Sequence, residues 1–353
     1  MNFNKNLINL KRDSDYNFNR SNFLRLDRNE RVIPYKKKDL KKVSKIISDY
    51  FLQAYPSYKV DLLKKIKSKN KIVKKKNYDV TITPGADISI RYIFELFTDK
   101  KNKKILSIDP TYGMVNIYSR IFKYKVKKIN EKYFKKFTDE KNYKNIQFIY
   151  LANPNNPSGK NIKIDTLLKI LDICVKKKIL FILDEVYIDY SSQKSFLSKV
   201  GNKIDNILIL RSFSKSIGLA GLRIGYVIGS KKNIQIFNSV RPPHDTSYLS
   251  IKIANYFFNK EKKYLQQIKK SKNYVIKFCE KNKIDYKMTD ANFFHLYFKK
   301  NKIKKIFFAL KKSNILVKSN YLGSLVKTGQ SIRVTLGNTE QMKYFFSNLM
   351  KLF

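Results

Sequence analysis

The chain has no tryptophan, two histidines, two cysteines, and 27 acidic residues against 75 lysines and arginines. Each scarcity excludes something. Cys174 and Cys279 lie far apart and without ligand spacing, so neither a disulfide framework nor a zinc site is expected. That cysteine usage fits a reducing cytoplasm. His244 and His295 are too few for a histidine-built metal centre, and no metal is expected. Long apolar runs are missing as well. None reaches membrane-spanning length, and the first residues, Met1 to Arg20, are polar and charged, without the apolar region of a signal peptide.

The shortage of acids leaves a net charge of +48. Gathered in one place, such charge would indicate nucleic acid or an acidic membrane surface. Here the lysines are spread over the whole length, amid abundant Asn and Ile, and collect in no single tail or helix. Compositional drift is therefore the favoured reading, with no specific nucleic-acid partner and no membrane. A diffuse positive field can still draw in phosphorylated small molecules. A basic nucleic-acid-binding protein without catalysis stays open as the lesser alternative.

What is present is a sizeable core. At 353 residues and 43% hydrophobic content, the chain exceeds the size at which one core stops growing, so two domains are expected. Seven short apolar segments, 80–83, 104–108, 124–129, 147–152, 179–184, 207–211 and 225–229, read as strands, separated mostly by helical patterns such as 86–97, 165–177 and 233–240. Continuous apolar strands alternating with helices predict an α/β fold with a mostly parallel seven-stranded sheet covered on both faces. From 247 to 283 one long helix or two are expected, then strands at 293–298, 315–317 and 332–336 with helices at 303–312 and 340–352, a smaller α+β domain. The division expected is an amino-terminal arm, 1–40, packed on the small domain or on a partner subunit, a large cofactor-binding domain, 41–240, and a small domain, 241–353. Lys135 to Asn145 reads as a polar surface segment.

In open α/β sheets ligands sit beyond the carboxyl ends of the strands, so the residues that follow each strand carry the chemistry. After 207–211 comes Ser212-Phe213-Ser214-Lys215, then a glycine-rich bend and Arg223, eight residues beyond the lysine. A lysine between two strand ends can hold a carbonyl compound as a Schiff base. Two hydroxyls and a forked guanidinium can hold a phosphate. Aldehyde and phosphate together describe pyridoxal 5'-phosphate. After 80–83 comes Pro84-Gly85-Ala86-Asp87 at a helix start, where backbone N–H groups favour phosphate, although helix capping alone explains Asp87. Asp184 ends the most apolar strand, where a carboxylate is costly unless paired, and a pyridinium nitrogen would pair it.

The string S-x-S-K-x-x-G-L-A-G-L-R-x-G at 212–225 resembles the cofactor-lysine segment of class I/II aminotransferases, the fold-type I pyridoxal-phosphate enzymes, and most of all the histidinol-phosphate aminotransferase branch. Asp109-Pro110-Thr111-Tyr112-Gly113-Met114 is similar to that branch's P-T-Y-G-M segment, and Asn153-Pro154-Asn155-Asn156-Pro157-Ser158-Gly159 to its N-P-x-N-P-[ST]-G segment. The likeness implies an aspartate aminotransferase-like fold and pyridoxal 5'-phosphate as cofactor. It implies that Lys215 holds the cofactor, yields it to the substrate amine, and shuttles a proton. Asp184 would keep the ring nitrogen protonated, Asn156 and Tyr187 would bond the phenolic oxygen, and Tyr112 would stack on the ring. Gly85, Ala86, Asp87, Ser212, Ser214 and Arg223 would bind the phosphate.

The same likeness matches Arg333 to a carboxylate-binding arginine, and Tyr55 to a tyrosine that reaches the neighbouring subunit's cofactor phosphate in a homodimer with shared active sites. A surface Tyr-Pro turn explains Tyr55 equally well. Where the branch has Val-Arg, with the arginine on substrate phosphate, this chain has Val317-Lys318, and Asn29-Glu30 run into Arg31-Val32-Ile33-Pro34 instead of the usual segment. The implied reaction is transfer of an amino group from an amino donor to a keto or aldehyde acceptor. Decarboxylation of a phosphorylated amino acid is the alternative, because the bond broken depends on a geometry that the residues do not reveal.

Overall fold

The computed structural model describes residues 18–48, 55, 60–97, 103–319 and 331–353. Tyr78–Thr83 (β2), Lys104–Asp109 (β3), Lys125–Asn130 (β4), Phe148–Ala152 (β5), Leu180–Asp184 (β6), Ile207–Ser212 (β7) and Gly225–Ser230 (β8) form one sheet in the order β2-β8-β7-β6-β5-β3-β4. These are the seven segments read from the sequence. The four central strands β5 to β8, of the five inner ones, are buried almost throughout, because helices cover both faces. Alternate residues serve alternate cores. Ile149, Leu151, Ile207 and Ile209 enter the core on one face, and Phe148, Tyr150, Leu208 and Leu210 the core on the other. The edge strand β4 instead carries lysines, which discourage pairing with another chain.

One strand runs against the rest. β8 is antiparallel to both of its neighbours. The connection from β7, residues 213–224, holds only a single 3-10 turn at Ala220–Leu222, and without a covering helix the chain returns beside β7 in the opposite direction. The carboxyl ends of β7 and β2 therefore meet the start of β8, with Ser212 and Thr83 both opposite Gly225.

A second, antiparallel sheet has the order β12-β13-β10-β9, built from Lys318–Ser319 (β12), Ser331–Thr335 (β13), Phe293–Tyr297 (β10) and Tyr286–Met288 (β9). It packs with helices Lys262–Lys281, Lys300–Lys312 and Thr339–Met350. Leu24–Arg25 (β1) pairs in parallel with Ile315–Leu316 (β11), and Leu26, Val32 and Ile33 enter this second core.

Two elements depart from the sequence reading. The helix Tyr248–Phe257 places Ile251, Ile253, Ala254 and Phe257 in the large core, so we propose that the division lies after Phe258 and not at residue 240. The segment read as polar surface at 135–145 forms two 3-10 turns anchored by buried Phe137 and Tyr143, whose apolar surface outweighs the surrounding lysines.

Candidate active site

A cleft of about 920 Å³ opens at the carboxyl ends of β2, β3, β5, β6 and β7 and is closed on the other side by residues 27–30, Lys318 and Arg333. Lys215 lies in it, in the loop after β7, and its Nζ donates to the Arg28 carbonyl at 3.2 Å. The same Nζ stands 5.6 Å from the centre of the Tyr187 ring.

Asp184 ends β6 inside the cleft. Oδ2 accepts from the Tyr150 hydroxyl at 2.6 Å, and Oδ1 from the Val186 backbone N–H at 3.0 Å. Burial raises its pKa to about 6, against the opposing pull of the Tyr150 and Val186 hydrogen bonds and the nearby Lys215 charge. The carboxylate is thus held in place yet short of positive charge. A cationic group bound in the cleft would supply that charge.

The phosphate side is built by the antiparallel return. The helix Ala86–Glu95 starts after β2, and Gly85 caps it at φ 91° without a side-chain hydrogen bond. This left-handed conformation suits glycine. A Cβ on Gly85 would sit 3.3 Å from Arg223 Nη2, and one on Gly225 would sit 3.0 Å from the Ala86 nitrogen. The two glycines let the helix start approach the β7–β8 loop closely. Ala86, Asp87, Ser212, Ser214 and Arg223 line this end of the cleft, with Gly85 directly behind. The Tyr118 hydroxyl donates to Asp87 Oδ1 at 3.3 Å, so the Asp87 carboxylate is drawn toward helix Gly113–Ile121. Backbone N–H groups at a helix start, two hydroxyls and a guanidinium make a donor set that fits a phosphate dianion.

Tyr112 lines the cleft after β3, and burial pushes its hydroxyl pKa well above the usual tyrosine range. Tyr187 is buried edge-on against Phe293, 5.8 Å between ring centres, and its hydroxyl accepts from Asn29 Nδ2 at 3.0 Å. Asn156 Oδ1 accepts from Arg333 Nη1 at 3.0 Å, and Arg333 Nη2 donates to the Asp27 carbonyl at 2.8 Å. Lys318 is the cross-strand partner of Arg333, so the two cations share one face of the second sheet. Twelve of the fourteen residues singled out in the sequence therefore line one cleft; Gly85 stands just behind it, and Tyr55 lies outside. Tyr55 is 80% exposed and stacks on His244 with 4.8 Å between ring centres.

Some contributors carry no motif. Asp27, Arg28 and Asn29 close the cleft, and Tyr150 grips Asp184. Beneath Lys215, a buried network joins Arg211 to Glu185 and Asp189, each at 3.0 Å, while the Ser216 hydroxyl donates to Asp189 at 2.5 Å. The Asn-Pro loop is held from both sides. Ser158 donates to Glu131, and the His295 ring bonds the Pro157 carbonyl at 2.9 Å. Among the described residues no cluster of three His, Cys, Asp or Glu could hold a metal ion, and no helix is long and apolar enough to cross a membrane.

Comparison with known proteins agrees with this geometry. The family model for aminotransferase class I and II matches residues 16–349. A histidinol-phosphate aminotransferase of Pelagibacter ubique is 30% identical over 355 residues, covering 94% of this chain and 93% of its own. One from Buchnera aphidicola is 38% identical over 173 residues, a match that spans 48% of each chain. A solved structure described as a putative histidinol-phosphate aminotransferase, from Erwinia carotovora, superposes with a TM-score of 0.81 over 94% of this chain and 96% of that one, at 18% identity.

Proposed function

Because the chain belongs to the class I and II aminotransferase family, we propose that it is a pyridoxal 5'-phosphate-dependent transaminase of the histidinol-phosphate aminotransferase-like group, moving an amino group from an amino acid to a keto or aldehyde acceptor. The observation that carries this reading is the convergence, in one cleft, of Lys215, the buried Asp184 carboxylate and the phosphate donors at the Ala86 helix start.

When bound, the cofactor supplies an electron sink for the bond broken at the substrate's α-carbon. The protein supplies the rest. Lys215 Nζ would hold the cofactor through its aldehyde and would move the proton at the substrate's α-carbon. Asp184 as a carboxylate would keep the proton on the ring nitrogen. Asn156 and Tyr187 would hold the phenolic oxygen, and Tyr112 would stack on the ring. Ala86, Asp87, Ser212, Ser214 and Arg223 anchor the phosphate. Arg333 takes a substrate carboxylate through its fork, and Lys318 beside it offers a second cation for a substrate phosphate. Tyr55, outside its own chain's cleft, serves the partner's phosphate in a homodimer.

A half-reaction screen tests the reading. Candidate amines, among them glutamate and histidinol phosphate, are added singly to the cofactor-loaded protein. The expected result is conversion of the cofactor's absorbance to that of its amine form, reversed by a keto acid. Release of carbon dioxide without any acceptor would replace transfer by decarboxylation. Failure to bind the cofactor would overturn both.

A further inference from the structure

Three consecutive residues of the amino-terminal strap each make a hydrogen bond with a different residue of the cleft. The Asp27 carbonyl accepts from Arg333, the Arg28 carbonyl accepts from Lys215, and the Asn29 amide donates to Tyr187. Two strap carbonyls and the Asn29 side-chain amide therefore fix the directions of three side chains that come from opposite walls. The strap's downstream end is tied to the second sheet. Thr335 N–H donates to the Leu26 carbonyl at 2.8 Å, Asn29 N–H donates to the Thr335 hydroxyl at 3.0 Å, and Asn292 donates to the Asn29 carbonyl at 3.0 Å.

Its own side chains are gathered by one cation. Arg20 Nη2 donates to Asp27 Oδ1 at 2.7 Å and to Glu30 Oε1 at 2.8 Å, with the Asp27 side chain wholly buried and the Arg20 side chain 17% exposed. Asp27 and Glu30 bracket the two residues that meet Lys215 and Tyr187. We propose that Arg20 is a positioning residue for the active site: by clamping Asp27 and Glu30 it sets the curvature of 27–30, and so the aim of Lys215, Tyr187 and Arg333. Arg20 touches no reacting atom and acts through the strap. The inference rests on the transaminase reading, since it assigns no chemistry of its own.

Without the clamp, buried Asp27 loses its charge-assisted bond at 2.7 Å and keeps the longer approach of Arg28 Nε at 3.9 Å, and the strap loosens. Arg333 then loses a fixed acceptor, and its fork no longer meets a carboxylate in one orientation. The test compares Arg20→Ala, Arg20→Lys and the milder Glu30→Gln with the parent chain. In the protein without cofactor, hydrogen exchange at the Leu26, Asn29 and Thr335 amides is expected to quicken at least about tenfold in Arg20→Ala, with the β5–β7 amides unchanged. In the loaded protein, KM for a carboxylate-bearing donor is expected to rise about tenfold, with a smaller fall in kcat, and with Arg20→Lys and Glu30→Gln falling between Arg20→Ala and the parent chain. Should Arg20→Ala unfold, Glu30→Gln carries the test, with a KM rise of about threefold and faster exchange at the Asn29 amide. Faster exchange with KM and kcat unmoved, or no faster exchange at all, would overturn the proposal. A parent chain that binds no pyridoxal 5'-phosphate would instead overturn the transaminase reading and leave the exchange result standing.

Discussion

The cleft has two walls of different construction. The wall on the seven-stranded sheet presents one side chain or turn per strand end, each within a few residues of the strand that carries it, and all of these strands except the edge strand β2 lie between two neighbours. The opposite wall is made of the 27–30 strap, Lys318 and Arg333, which meet across some 300 residues of chain and are held mainly by side chain to backbone hydrogen bonds. On the proposed reading the first wall serves the cofactor, and the second faces whatever the substrate carries. Residues on the two walls should therefore fail differently when changed.

The largest effect belongs to the sheet wall. Lys215→Ala removes the amine that attaches the cofactor and moves the proton, and turnover should fall about a thousandfold or more. The cofactor's lysine-linked absorbance should vanish as well, while the phosphate donors still bind it reversibly. Full activity with normal absorbance in this variant would break the comparison at its root. On the other wall, Arg333→Ala should cost about 10- to 100-fold in kcat/KM for a carboxylate donor, the range of a charged hydrogen bond of about 1.5–3 kcal/mol. The cofactor's spectrum should barely change. Lys318→Ala should spare an unphosphorylated donor and weaken a phosphorylated acceptor by about two- to fivefold. Equal losses for both substrates would deny Lys318 a role in telling them apart.

The same contrast explains what could be read from sequence. Asp184, Lys215, Asn156 and Tyr112 follow apolar runs directly, so the strand-end rule finds them before any geometry is known. The seven strands were legible because their apolar runs are short and β-branched, and each is punctuated by turn residues. Tyr150 was missed among 24 tyrosines, yet a weak signal existed. It stands two residues before the end of β5 on the sheet face it shares with Ala152, and Ala152 pairs with Asp184. Asn29 and Asp27 act on partners 158 and 306 residues away, and no local spacing encodes that. The antiparallel run of β8 was not inferred either, although the twelve residues between it and β7 leave little room for a covering helix. The helices Lys37–Ser48 and Gly113–Ile121 were passed over, the first because lysines obscure a modest apolar stripe.

The smallest effect sharpens the comparison through pH. Asp184 on the sheet wall and His295 beneath the Asn-Pro loop are both buried against their charged forms, and their contributions to stability slope in opposite directions. The carbonyl of Pro157 can only accept, so His295 Nε2 carries the proton and the ring is neutral, with its pKa lowered by burial to about 3 despite that bond. Between about 3 and 6.5 the unfolded chain binds a proton at this site that the folded one refuses, so the His295 contribution rises with pH. Asp184 is the reverse. Between its ordinary value of 3.8 and about 6 the folded protein keeps a proton that the unfolded chain releases, so its contribution falls as pH rises. Each slope is at most about 1.4 kcal/mol per pH unit, and in the cofactor-free protein the two largely cancel. Asp184→Asn should therefore make unfolding free energy climb more steeply between pH 4 and 6 than in the parent chain, and His295→Gln should flatten or invert it, as read from denaturant melts at half-unit steps. Adding the cofactor should abolish the Asp184 slope alone, because a protonated ring nitrogen stabilises the carboxylate. Its binding should accordingly weaken as pH drops below about 6 in the parent chain, and should show no such fall in Asp184→Asn. A parent chain and an Asp184→Asn variant with parallel stability curves would mean that the carboxylate is already ionised without the cofactor, and the shortage of positive charge inferred for the sheet wall would be gone.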